Sequence, residues 1–192
     1  MQKFSLIVEV GRKKIWPNKV KIVLNAMAET FKYLITFRNE ICKKNLFISV
    51  SLIDDKKIHK MNLEYRNKNK PTNILSFQNI DWKGDLRDVL YAEQIDWNTN
   101  IKVFEITPDG IEKKNSKEIN MDEEVLQIGD IAISYERILE ESVEQSKDFD
   151  EHLSFMVVHG VLHLMGYDHE IEKDAIEMEE LEKNIMSGIK IC

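Results

Sequence analysis

Residues 159–169, HGVLHLMGYDH, constrain this chain more than any other segment, because they contain three of its five histidines. His159 and His163 are four residues apart, so a helix would place both imidazoles on one face, one turn apart. Gly166 stands where such a helix would end, and His169 follows it. Three histidines in this arrangement can hold one zinc ion and leave its fourth position open, as catalytic zinc sites do.

The spacing of these histidines is also that of the metzincin proteases, HExxHxxGxxH, with one difference. Gly160 occupies the position of the glutamate that takes a proton from water in those enzymes. The alternative is three histidines that only fill the core, but ligand spacing around a helix-ending glycine favours metal binding. The motif therefore predicts one Zn²⁺ ion bound by His159, His163 and His169 in a hydrolase without the proteolytic base.

Composition narrows the class of protein further. A chain of 192 residues with 43% apolar residues suits one globular domain, or one domain with an insertion. No apolar run has the length of a membrane span, and the first ten residues lack the features of a signal peptide. Cys42 and Cys192 belong to no motif, which is typical of a reducing compartment. We therefore expect a cytoplasmic protein without membrane contact.

The charge distribution bears on nucleic-acid partners. A net charge of −7 argues against a general nucleic-acid coat. Residues 66–70, RNKNK, are locally basic, whereas residues 170–182 are strongly acidic. An RNA substrate is compatible with this pattern if the basic segment borders the site, although a solvated surface explains both segments equally simply.

Hydrophobic periodicity predicts an α+β fold, a single domain in which helices pack a small mixed β-sheet. Strands are expected at residues 4–10, 46–53, 73–78 and 127–134, and helices at 17–38, 135–147 and 172–186. Asp54 or Asp55 can cap a further short helix, and Asp148 can cap the helix that carries the first two histidines. That helix is apolar almost all round, so we expect it to be buried.

Two surface helices carry the remaining apolar stripes. We expect inward-facing residues in the helix at 135–147 and in the last helix; they are Ile138, Leu139, Val143, Ile176, Met178, Leu181 and Ile185.

Residues 80–125 are expected to form an insertion within a single domain that spans residues 1–192. Pro108, Asp109 and Gly110 form a strong turn signal between two strand-like stretches. We interpret this region as an elaborated hairpin that projects from the sheet.

The histidine motif resembles the signature of the YbeY family of bacterial endoribonucleases, and two further blocks resemble that family in the same order. The upstream block comprises Met61-Asn62, Arg66 and KPTNILSF at residues 70–77, and the central block is IGDIAIS at residues 128–134. Met178 also fits. Asn73 replaces the aspartate of many relatives, which we treat as tolerated variation. Together with the order of strands and helices, the blocks extend the resemblance over most of the chain.

The resemblance implies a zinc-dependent, single-strand-specific endoribonuclease that acts in 3′-end maturation of small-subunit (16S) rRNA and in ribosome quality control. It implies rRNA and ribosomal particles as partners, with ribosome assembly factors as further candidates. The metal ligands carry over to His159, His163 and His169, and the family's important arginine carries over to Arg66. About forty residues between Phe77 and Gln127 are extra. They leave the core chemistry intact and affect substrate contacts and partner surfaces.

Arg66 is the candidate phosphate clamp, because a guanidinium can meet phosphate with two parallel donors. From the residues alone, a surface arginine in a basic loop is an equal alternative. Ser76, beside Phe77 on an expected inner strand, is a second phosphate-binding candidate, and a serine facing solvent is its alternative. A three-histidine zinc lowers the pKa of water, so the absent glutamate is compatible with phosphodiester cleavage. Attack by the 2′-hydroxyl of the RNA is the other route.

Two other functions are compatible with parts of the pattern. A metalloprotease would explain the metzincin-like spacing, but Gly160 argues against it. A non-enzymatic ribosome assembly factor would use the zinc structurally, but structural zinc is usually closed by four protein ligands, and the motif offers three.

Overall fold

A computed structural model describes residues 4–10, 15–37, 45–80, 101–107, 110–114 and 125–190. The strands are β1 Phe4–Val10, β2 Asn45–Ile53, β3 Ile74–Gln78, β4 Ile101–Thr107, β5 Gly110–Lys114 and β6 Val125–Ser134. The helices are α1 Val20–Phe37, α2 Asp55–Arg66, α3 Tyr135–Glu144, α4 Phe149–Leu164 and α5 Glu172–Gly188.

The strands form one mixed sheet in the order β3-β6-β2-β1-β4-β5. The central strands β6, β2 and β1 are parallel, whereas β3, β4 and β5 each pair antiparallel with their neighbours. The predicted α+β fold with a mixed sheet is confirmed, and the sheet has six strands in the described part of the chain.

The hairpin in the middle of the chain does not project from the sheet as predicted. β4 pairs with β1 along its length, from Phe4 opposite Ile106 to Glu9 opposite Ile101, and β5 continues the sheet beyond it. This pairing satisfies backbone N–H and C=O groups of β1 that would otherwise form an open edge. Residues 81–100 and 115–124, which complete the predicted insertion, lie outside the described residues.

The main core lies between one face of the sheet and helices α1 and α4. β2 contributes alternate residues to it, and the buried members are Leu46, Ile48, Val50 and Leu52. A smaller core on the other face consists of Ile53, Ile58, Leu75 and Ala132, and it is covered by α2. Burial of each aliphatic side chain contributes about 1.5–3 kcal/mol to the stability of the fold. The positions of the apolar residues therefore fix which face of a strand turns toward the core.

The helix α4 has the burial and the ends that the sequence predicts. Its Asp148 cap accepts hydrogen bonds from the backbone N–H groups of Asp150 and Glu151, at 2.8 and 3.3 Å. Gly166 has φ 84°, in the left-handed region that glycine adopts without strain. The Tyr167 N–H bonds the Leu162 carbonyl, and the Gly166 N–H bonds that of His163, which is the Schellman motif. This end turns the chain back toward α4.

Two predicted apolar stripes are partly wrong. In α3, Leu139 and Val143 are 43% and 72% exposed, and in α5 Ile176 is 60% exposed. The buried residues of α3 are Ile138 and Ser142, which lie one turn apart on the side that faces the core. A short helix that touches the core along one narrow line buries only that line, so apolar residues beside it stay in solvent.

The first helix begins later than predicted, at Val20, because Pro17 lies in the preceding turn.

Among the described residues, no helix combines the length and the apolar character needed to cross a membrane.

Candidate metal centre

The three histidines of the motif come together at the end of α4. His159 and His163 project from successive turns of the helix, and His169 comes from the loop between α4 and α5. One nitrogen of each lies within 4.8 Å of the others. The Nε2 atoms of His159 and His163 are 3.1 Å apart. The predicted ligand set is therefore assembled in space.

Hydrogen bonds at the far side of two rings set which nitrogen faces the cluster. His159 Nδ1 is 2.7 Å from Glu182 Oε1, and His163 Nδ1 is 3.0 Å from the Tyr167 carbonyl oxygen. A carbonyl oxygen and a carboxylate only accept, so each Nδ1 donates its proton. Each Nε2 is then left with its lone pair directed toward the cluster.

This donor set fits a zinc ion. Zinc–nitrogen bonds of about 2.0–2.1 Å in a tetrahedron place two nitrogens about 3.3 Å apart, close to the 3.1 Å between the two Nε2 atoms. The described residues add no fourth histidine, cysteine or carboxylate to the group, which leaves a position open. Burial lowers the pKa of His163, and its two histidine neighbours add to the effect. A lowered pKa keeps His163 in the neutral form that binds metal.

A cleft of about 890 Å³ opens over the histidines. The end of α2 and the segment that follows it line the cleft with Arg66, Lys68, Thr72 and Asn73. The loop after α4 lines it with Asp168 and Glu170. The structure thus brings Arg66 into the same cleft as the histidines, although more than ninety residues separate them in sequence.

Arg66 is exposed and is the last residue of α2, where Asn67 ends the helix with φ 55°. Its Nη2 donates to the Ser76 carbonyl oxygen at 3.4 Å. Among the described residues this is the one hydrogen bond that the guanidinium makes, and it leaves most of the donors available to a ligand.

Ser76 lies on β3, which is an edge strand and not the inner strand that we predicted. Ser76 lines the cleft, and its Oγ is buried without a hydrogen-bond partner among the described residues. An unpaired buried hydroxyl is costly, so a partner supplied from the cleft would stabilise it. The solvent-facing alternative for Ser76 is wrong.

The structure gives a packing reason for glycine at position 160. A Cβ there would come within 2.7 Å of Ile74 Cδ1, 3.1 Å of Ser76 Oγ and 3.2 Å of Ile131 Cδ1. The helix α4 therefore lies directly on β3 and β6 at this point. A glutamate in the metzincin position would begin at this contact, so the side chains of Ile74, Ser76 and Ile131 would have to move to admit it.

Other polar residues near the histidines have structural partners. Asp168 Oδ1 accepts from the His169 N–H at 2.7 Å and so stabilises the turn that carries the third histidine. His152 is 2% exposed, stays outside the metal group, and places Nε2 2.9 Å from Glu141 Oε2. The same oxygen accepts from Asn73 Nδ2 at 3.1 Å, which joins the start of β3 to α3 and α4.

Glu182 is the residue that sequence reasoning missed. It is 7% exposed and lies on the same stripe of α5 as Met178 and Ile185, which are 1% and 2% exposed. A glutamate at a core-facing position of an amphipathic helix is the signal that could have identified it.

Asp130, in the central block on β6, is a half-buried carboxyl group. Burial raises its pKa, and hydrogen bonds from Ser49 and Asn79 oppose that rise. Asp130 does not line the histidine cleft.

Comparison with known proteins gives a consistent result. A family model described as endoribonuclease YbeY matches residues 14–190. The protein named endoribonuclease YbeY of Bartonella quintana is 34% identical over 84% of this chain and 81% of its own length. The same-named protein of a Thermoanaerobacter species is 35% identical over 77% of this chain and 76% of its length.

Two further matches differ in extent. The endoribonuclease YbeY of Rhodopseudomonas palustris is 37% identical over 75% of this chain, which spans 57% of that longer protein. The solution structure of TM1509 from Thermotoga maritima is 22% identical, covers 98% of this chain and 89% of its own, and has a TM-score of 0.47. The family match over residues 14–190 and the relatives above 30% identity together show that this chain belongs to the YbeY family.

Proposed function

We propose that this protein is a zinc-dependent, single-strand-specific endoribonuclease that acts in 3′-end maturation of 16S rRNA and in ribosome quality control in the cytoplasm. The observation that carries the proposal is the shared cleft, which is lined by the three converging histidines and by Arg66. The names of the relatives support the reaction class.

One zinc ion would be held by His159, His163 and His169, whose nitrogens converge with one position left open. Zinc in such a site supplies Lewis acidity, which polarises a phosphoryl oxygen and makes water a stronger acid. Binding and orientation of the substrate depend on the protein's own side chains.

Arg66 and Lys68 supply the positive side of the cleft. A guanidinium can hold two phosphate oxygens at once, and an ammonium adds a mobile charge beside it. Because Asp168 and Glu170 line the same cleft, a polyanion is attracted to its basic residues and repelled from its acidic ones. This asymmetry would orient an RNA strand with its backbone against the end of α2. Because the chain as a whole carries a net charge of −7, this local basic segment is the part suited to binding the RNA backbone.

Two nucleophiles are compatible with this arrangement, a water molecule and the adjacent 2′-hydroxyl of the RNA. Attack by the 2′-hydroxyl expels the 5′-oxygen and leaves a 2′,3′-cyclic phosphate, whereas attack by water leaves no cyclic product. Analysis of the product ends therefore separates the two routes.

The test uses purified protein and a single-stranded RNA that contains the 3′ end of 16S rRNA. We expect His163→Ala to lose zinc and cleavage together, since one of three ligands is removed. Full zinc content and full cleavage in that variant would disprove the metal assignment. The variant also serves as the control for contaminating ribonuclease.

Arg66→Glu tests the phosphate role separately. We expect it to retain zinc and to lose cleavage, because a carboxylate repels the phosphate that the guanidinium would bind. Lys60→Glu is the matched control, because Lys60 is an exposed cation on the same helix and does not line the cleft. Wild-type cleavage by Arg66→Glu would disprove the proposed role.

Ribosomal particles and assembly factors are the proposed partners. Co-sedimentation of the protein with small ribosomal subunits, with and without the Arg66→Glu change, would test this part of the proposal.

A further inference from the structure

The buried carboxylate of Glu182 has a specific partner at the metal centre. Its Oε1 is 2.7 Å from His159 Nδ1, and the residue is 7% exposed. A carboxylate is removed from water at considerable cost unless a donor compensates for it. The position of Glu182 between Met178 and Ile185 on the core-facing stripe of α5 is therefore explained by the histidine that it contacts.

Glu182 lies on the far side of the histidines from the cleft. It does not line the cleft that Arg66 shares with the histidines. It lines a separate cavity of about 320 Å³, which also borders His159 and His169. The contact of Glu182 with the metal centre that the structure shows is therefore the one through His159.

The contact also closes the segment of chain that carries the ligands. Glu182 and His159 are 23 residues apart, and His163 and His169 lie between them. Because α5 is held to α4 by this bond, both ends of the loop that carries His169 are fixed. This bond adds to the apolar packing of Met178 and Ile185, which also holds α5 in place.

We propose that Glu182 is a positioning residue that holds the His159 ring with Nε2 toward the metal and couples the docking of α5 to metal binding. The inference rests on the proposed metal site. A carboxylate that accepts from a ligand histidine fixes the orientation of the ring and increases its basicity, and removing such a partner weakens metal binding about 10–100-fold.

The first test is zinc affinity, measured by competition with a chromophoric chelator. We expect Glu182→Ala to bind zinc about 10–100-fold more weakly than wild type. Glu182→Gln should lose less, because its amide oxygen still accepts from His159 Nδ1 and its size is unchanged. Glu180→Gln is the control, since Glu180 is exposed on the same helix, and it should bind like wild type.

The second test is hydrogen exchange of the α5 amides with and without zinc, which does not depend on RNA cleavage. Zinc should slow this exchange in wild type and in Glu180→Gln, and have little effect in Glu182→Ala. If Glu182→Ala fails to fold without metal, Glu182→Gln decides the question. Weaker zinc binding than wild type supports the inference, and equal binding overturns it.

Wild-type affinity in both Glu182 variants would overturn the inference and leave the proposed metal site intact. An equal loss in Glu180→Gln would also overturn it, because the effect would then follow the charge of the helix. Absence of zinc binding by the wild type would overturn the proposed metal site itself.

Discussion

Replacement of Gly129 by alanine should disturb the point where β6, β3 and α4 meet. Gly129 has φ 153°, which side chains rarely adopt, and an added Cβ would lie 2.3 Å from the Phe77 carbonyl oxygen and 2.7 Å from Leu164 Cδ2. The Phe77 carbonyl belongs to β3, which is paired with β6 along its whole length. It cannot move away without breaking that ladder.

Two contributions set the size of the effect. Overpacking a close contact costs about 1–3 kcal/mol, and holding a non-glycine residue in a sparsely populated conformation costs about 1–3 kcal/mol more. The sum is about 2–6 kcal/mol. For a chain of this length each kcal/mol lowers Tm by about 2–4 °C, so we expect Gly129→Ala to melt about 10 °C below wild type. Because Leu164 directly follows His163, zinc affinity should fall as well.

Thermal unfolding followed by circular dichroism measures this change, and Gly188→Ala is the matched control. A Cβ at Gly188 would meet only a Glu29 carboxylate, at 3.2 Å, and that side chain can rotate away. The control should therefore stay within about 1 kcal/mol of wild type, the range of helix propensity. A Tm for Gly129→Ala equal to that of Gly188→Ala would refute the reasoning.

Three further predictions concern the core and the metal. Gly160→Glu should lose at least about 2 kcal/mol in urea unfolding, because its side chain meets Ile74 and Ile131, and it should gain no peptide cleavage; a stable variant that cleaves a peptide library would contradict this. Burial raises the pKa of Asp130, so its contribution to stability is present at low pH and is lost as the pH rises from about 3.9 through the folded value. Asp130→Asn should therefore be more stable than wild type at pH 7, with a difference that vanishes near pH 3, and equal stability at pH 7 would disprove the cost of the charge. Removal of metal by a chelator should lower Tm and abolish RNA cleavage, and added zinc should restore both, since a ligand that binds the folded state stabilises it; cleavage that survives exhaustive chelation would contradict the metal requirement.

The local features of the metal helix were predictable because they depend on residues that are neighbours in sequence. The Asp148 cap, the glycine in the left-handed conformation at position 166 and the shared face of His159 and His163 all follow from helix geometry. The strand predicted at residues 46–53 is likewise present, as β2 Asn45–Ile53.

The parts that sequence reasoning missed or misplaced depend on which distant segments meet. Whether Leu139 and Val143 are buried is decided by how wide a strip of α3 touches α4, and the answer is a strip too narrow to include them. The pairing of β4 with β1 joins segments about ninety residues apart, and no local pattern specifies that partner. The edge position of β3 similarly follows from the order of the whole sheet.

The sequence by itself determined the ligand set, because three histidines at this spacing converge once a helix and its terminal turn have formed. Only the tertiary structure decided what surrounds them: Arg66 in the same cleft, Glu182 at His159 Nδ1, and the sheet residues that a side chain at Gly160 would meet. The physical reason is one of range. Spacing along a helix is set by backbone hydrogen bonds within a few residues, whereas these neighbours are brought together by burial of apolar surface between helices and sheet.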